Sequence, residues 1–70
     1  MNTIVLAIGG MHCASCGMLI DEAVEDLPGV TRSSTDMKAE RTTVELDGSG
    51  AGPAEVVAAI EAEGYRAELL

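Results

Sequence analysis

Aromatic side chains are almost missing from this chain: Tyr65 stands alone, with no Phe and no Trp. A core without rings must be built from Val, Ile, Leu, Met and Ala. Cysteine is scarce as well. Two cysteines close one bridge at most, and a loop as short as theirs would constrain the unfolded chain little. A disulfide scaffold is thereby disfavoured, and a reducing, cytoplasmic setting is expected. Basic residues number four against twelve acidic ones, for a formal charge of −8. No basic patch exists to release counterions from phosphates, which excludes nucleic acid as a partner. The same balance disfavours an anionic membrane surface. No apolar run is long enough to span a bilayer, so no membrane insertion is expected. Met1-Asn2-Thr3 lacks the charged region of a secretory signal. With no internal repeat and no linker, residues 1–70 read as one domain, near the lower size limit for a chain that folds without staples.

What the chain does have is concentrated in one place. Gly10-Met11-His12-Cys13-Ala14-Ser15-Cys16 holds both cysteines and the only histidine. Before it, Thr3 to Ile8 reads as a strand of β-branched residues with two apolar faces. Such a strand is central in its sheet or meets a partner with its second face. Gly9-Gly10 breaks it. A helix then begins within the Cys13–Cys16 segment and runs to Leu27. Leu19, Ile20, Ala23, Val24 and Leu27 recur at helical spacing as its buried face, with Asp21, Glu22, Glu25 and Asp26 on the solvated side. Pro28-Gly29 stops it.

Val30 to Met37 is the second expected strand. Its alternation is weak, because Ser33 and Thr35 stand where Val or Ile is expected. Lys38-Ala39-Glu40 makes a turn into a third strand, Thr42 to Leu46. Residues 47–52 read as a small flexible loop. Pro53 suits the first turn of a second helix, with Val56, Val57, Ala59 and Ile60 as its apolar stripe. Gly64 ends that helix, and Tyr65 to Leu70 is a short last strand. The order predicts an α+β, ferredoxin-like βαββαβ sandwich: a four-stranded antiparallel sheet with both helices on one face. Right-handed crossovers then bring the cysteine loop, the Lys38–Glu40 turn and the Gly64-Tyr65 corner to one end.

Thiolates are soft ligands, so a pair of them three residues apart suits Cu(I), with Zn(II) as the alternative. A helix N-terminus favours the thiolate form. Thiol–disulfide oxidoreductases share the spacing, but usually with Pro between the cysteines, a preceding Trp and a larger domain. Here Ala14 and Ser15 lie between them in a short chain. His12 reads as a solvent-exposed loop residue, or else as an accessory ligand. Met11, a soft sulfur beside the site, reads as a buried packing residue, and Met18 as part of a docking patch or a gap filler.

These residues resemble a known family. Gly10-Met11-His12-Cys13-Ala14-Ser15-Cys16 is similar to the Gly-Met-x-Cys-x-x-Cys signature of heavy-metal-associated domains, the copper chaperones and the N-terminal modules of copper-transporting P-type ATPases. Leu27-Pro28-Gly29-Val30 resembles the family's Leu-x-Gly-Val, and Gly64-Tyr65 the Gly-Tyr before the last strand of bacterial members. The resemblance covers essentially the whole chain. It implies metal ligation by Cys13 and Cys16, Met11 packed beneath the loop, and Tyr65 near the metal. His12 fills the variable position, where zinc-transporting relatives often carry Asp. The basic residues common near the first helix of chaperones are missing here. The implied function is non-enzymatic Cu(I) binding, expected in a free-standing chaperone, although an excised ATPase module would look much the same. The chaperone would exchange metal with a donor or acceptor domain of a copper-transporting ATPase through thiolate ligand exchange. A Zn(II), Cd(II) or Hg(II) carrier and a thiol redox protein are the alternatives. The apo form is expected to be a monomer, and a metal-bridged dimer stays open for the loaded form.

Overall fold

The β-branched run near the N-terminus forms β1 (Asn2–Gly9). After it come α1 (Ala14–Glu25), β2 (Val30–Asp36), β3 (Arg41–Leu46), α2 (Pro53–Ala62) and β4 (Arg66–Leu69). These elements are seen in a computed structural model that describes residues 2–11 and 14–70. The strands form one antiparallel sheet in the order β2-β3-β1-β4. β1 is therefore an inner strand, bonded on both sides, which accounts for its apolar residues at every position from Ile4 to Ile8. Ile4, Leu6 and Ile8 share one face, as a period of two requires. On that face Leu6, Ile8, Val44 and Leu46 form a single core cluster with Ile20 and Val24 of α1 and Val56 and Ile60 of α2. Both helices thus cover the same side of the sheet, as the element order predicts. Each such aliphatic side chain contributes about 1.5–3 kcal/mol by leaving water.

Three local features depart from the sequence reading. Leu19 is expected to be buried but is 46% exposed. Cys16, Ile20 and Val24 already fill the line facing the sheet, and Leu19 lies about 100° round the helix from Ile20. Asp21, expected in solvent, lies the same angle the other way and is turned toward β2, where it binds Ser33 and Thr35. Those two residues take inward positions on β2 because a carboxylate there satisfies them. Thirdly, residues 47–52 do not form a loose loop. Asp47 N donates to Gly29 O at 2.9 Å and Ala51 N to Pro28 O at 2.6 Å, and Ala51 is buried. The loop is laced onto the corner that ends α1.

Element boundaries follow local chemistry. Leu27 N donates to Val24 O, a tighter turn that closes α1 two residues before the left-handed Gly29. Asp36 ends β2 by accepting the N–H groups of Lys38 and Ala39 at 2.9 and 3.2 Å. At the start of α2, Pro53 occupies the first turn and the Glu55 carboxylate accepts the Gly52 N–H at 3.0 Å. Among the described residues no helix is long and apolar enough to cross a membrane.

Candidate metal centre

The end of the sheet where β1 stops is built from three connections. Gly10 takes φ +96°, a left-handed conformation that turns the chain out of β1 toward α1. Ile8 N donates to Glu40 O at 2.8 Å, which fastens the β2–β3 turn to the end of β1. Tyr65, from the corner between α2 and β4, is half-buried against the core. A Cβ placed on Gly10 would lie 3.9 Å from Tyr65 Cδ1, so the ring borders the start of the cysteine loop.

Cys16 lies in the first turn of α1 and is 8% exposed. It follows the core line of Ile20 and Val24, which holds the thiol on the inward side of the helix. Met11 is half-buried and packs against the core cluster. His12 and Cys13 lie outside the described residues. Of the residues that the sequence singles out, Met11 and Tyr65 pack against the core cluster and Cys16 is buried in the first turn of α1. Met18 stands apart from them on the outer side of α1, 69% exposed.

Two neighbours of this end are not evident from the sequence. Arg66 lies across Gly9, where an added Cβ would meet its Nε at 3.3 Å. Gly17 is buried directly behind Cys16, and a Cβ there would lie 3.1 Å from Met37 Sδ and 3.2 Å from Thr35 Cγ2. A glycine inside a helix costs about 1 kcal/mol relative to alanine, which is the available signal that this position serves close packing.

The chain is thus a small βαββαβ sandwich with a buried thiol in the first turn of α1. Residues 5–66 match the heavy-metal-associated domain, and the chain belongs to that family. Over 67 residues it is 39% identical to the probable copper-transporting ATPase PacS of Synechococcus elongatus, covering 96% of this chain and 9% of the relative. It is 33% identical over 64 residues to the copper chaperone CopZ of Enterococcus hirae, covering 91% of this chain and 93% of that one. Among solved structures, the N-terminal domain of PacS from Synechocystis PCC6803 has a TM-score of 0.89 at 31% identity. That match covers 100% of this chain and 98% of that one. The chain thus spans between 5% and 9% of the length of the first ATPase relatives it matches.

Proposed function

We propose that this chain, one domain over residues 1–70, binds Cu(I) through Cys13 and Cys16 and passes it to an acceptor with a similar thiol pair. The observation that carries this reading is Cys16 itself: a soft donor held in the first turn of α1, at the end bordered by Met11 and Tyr65. Relatives named as a copper chaperone and as copper-transporting ATPases support copper as the cargo. Handover follows from the ligands. A thiolate of the partner adds to the bound ion, a three-coordinate intermediate forms, and one of the original thiolates leaves. Sulfur ligands are exchanged and no electron moves. No covalent bond of a substrate is made or broken, so the activity is transport and not enzymatic catalysis.

The partner is a donor or acceptor metal-binding domain of a copper-transporting P-type ATPase. The chain acts as a monomer when apo, in a reducing compartment such as the cytoplasm, where the thiols stay reduced. Replacing His12 by Ala is expected to leave Cu(I) affinity nearly unchanged. The deciding experiment is anaerobic Cu(I) titration against a strong chelator, run beside Zn(II), for the wild type, Cys13→Ser and Cys16→Ser. One Cu(I) per chain at low loading, lost in either variant, is the expected result. Tighter competitive binding of Zn(II) than of Cu(I) would move the reading to a zinc carrier. Cu(I) retention in the double variant would end the site assignment.

A further inference from the structure

One flank of α1 faces β2 with three residues spaced one turn apart: Gly17, Asp21 and Glu25. Gly17 provides the close approach to Thr35 and Met37. One turn on, Asp21 Oδ1 accepts the hydroxyls of Ser33 at 2.7 Å and Thr35 at 2.8 Å, and Asp21 Oδ2 accepts the Thr35 N–H at 3.3 Å. A further turn on, Glu25 Oε2 accepts the Ser33 N–H at 3.0 Å. Thr35 Oγ1 lies 2.9 Å from Thr42 Oγ1 on β3. The single Thr35 hydroxyl proton goes to the carboxylate, which only accepts, so Thr42 donates to Thr35. The chain of bonds therefore has one direction, from β3 through β2 to α1.

The spacing is what makes this seam fit. Asp21 and Glu25 are one helical turn apart, about 6 Å along the axis. Ser33 and Thr35 are two strand residues apart, about 6.8 Å. β2 is an edge strand, so its outward N–H groups have no strand to bond, and two of them are taken up by the helix. Aliphatic contacts such as those of Ile20 and Val24 are non-directional and tolerate a small slide of the helix. Hydrogen bonds to fixed main-chain groups weaken steeply with misalignment and do not tolerate it.

We infer that Asp21 is a positioning residue for the metal centre: its bonds to β2 hold the first turn of α1 at one depth and one axial register, and so keep Cys16 in place. This rests on the proposed role of Cys16 as a ligand. Gly17 adjoins Cys16 in sequence and touches Thr35, the residue that Asp21 binds, so the seam and the thiol share one turn of helix.

The test uses the full chain carrying Cys13→Ser, which leaves Cys16 as its only thiol, and follows the rate of iodoacetamide modification against urea. Circular dichroism gives the global unfolding midpoint in the same samples. Asp21→Ala is expected to raise the rate in the absence of urea by about tenfold, with little dependence on urea, the mark of a local opening. A second variant combines Asp21→Leu, Ser33→Val, Thr35→Val and Thr42→Val, an apolar seam of similar volume. Replacing a buried polar network in this way is often neutral or stabilising. It is expected to recover the wild-type midpoint while Cys16 stays fast to react. If the apolar seam restores protection together with stability, or if modification tracks global unfolding throughout, Asp21 only fills space and the inference falls. Should Asp21→Ala fail to fold, the apolar variant alone decides. Chelator competition on the chain with both cysteines is a separate arm. Loss of Cu(I) binding in the wild type would overturn the metal reading and leave the thiol result standing.

Discussion

Gly29 and Gly50 lie back to back: a Cβ on Gly29 would come within 2.7 Å of Gly50 N, and one on Gly50 would collide with Pro28 O. This contact brings the loop after β3 onto the corner after α1, at the far end of the molecule from the cysteine loop. Gly29 also has φ +90°. Gly29→Ala combines a left-handed penalty of about 1–2 kcal/mol with an overpacking cost of about 1–3 kcal/mol. A loss of about 2–5 kcal/mol in urea denaturation is expected. Gly48 has φ +83° but nothing within 4 Å, so Gly48→Ala should cost only the conformational part, about 1 kcal/mol. Equal effects at the two positions would show that the contact contributes nothing.

Tyr65 borders Gly10 and packs against the core, so it serves both the loop and the fold. Tyr65→Ala removes a half-buried ring and should cost about 2 kcal/mol, below the range for a fully buried one. The same change is expected to speed loss of Cu(I) to small thiols, while Tyr65→Phe keeps the shield and changes transfer only slightly. Stopped-flow transfer to a chromophoric chelator measures both. Unchanged rates in both variants would leave Tyr65 with a packing role alone.

Asp47 gives a pH signature far from the metal centre. Its carboxylate accepts the Ser49 hydroxyl at 2.6 Å and the Ser49 N–H at 2.8 Å. The hydroxyl bond first, and the N–H bond next, hold its pKa below the ordinary aspartate value of 3.8. A depressed pKa in the folded state means that the stabilisation is full above 3.8 and is lost as pH falls through the lower folded value. Ser49→Ala should therefore destabilise the protein at neutral pH and have no effect in strong acid. The Asp47 carboxyl resonance, followed by NMR, should titrate at higher pH in the variant than in the wild type. An unchanged titration would remove the hydroxyl as the cause.

The helical layer carries the charge excess that a partner would meet. Asp21, Glu22 and Glu25 on α1, Glu55 and Glu61 on α2, and Asp26 and Glu63 just beyond are balanced by no base on either helix. Arg32, Arg41 and Arg66 are on the strands and Lys38 is in the hairpin turn. An open groove of about 550 Å³ is lined by Leu19, Ala23, Glu22, Glu25, Asp26 and Glu63. Asp21 and Glu25 are engaged with β2, so if this face meets a basic acceptor, the contact would rest on Glu22, Asp26 and Glu63. Charge reversal at these three should slow copper transfer by roughly tenfold at low salt without changing Cu(I) affinity. Salt should slow the wild type toward the variant as exposed charges are screened. Identical transfer rates at every salt concentration would leave this face with a solubilising role.

The periodicities in the sequence determined the elements and their order. The period of two in β3 and the helical recurrence of Ile20, Val24, Val56 and Ile60 are local patterns, set by covalent geometry, and each names its own buried face. Glycine and proline placed most of the breaks, and the Gly-Met-x-Cys-x-x-Cys stretch, with its matching landmarks, pointed to the family. The sequence also singled out Cys16, Met11 and Tyr65, although 49 residues separate the first from the last. What only the tertiary structure decided is which flank of each element meets which neighbour. Leu19 and Asp21 flank Ile20 almost symmetrically, and propensity puts the leucine inside. The sheet reverses this, because β2 passes on the Asp21 side with Ser33, Thr35 and two outward N–H groups to satisfy, while the Leu19 side opens on the groove. Hydrogen-bond demand at an unpaired strand edge is a property of strand order, and strand order exists only once the chain has folded.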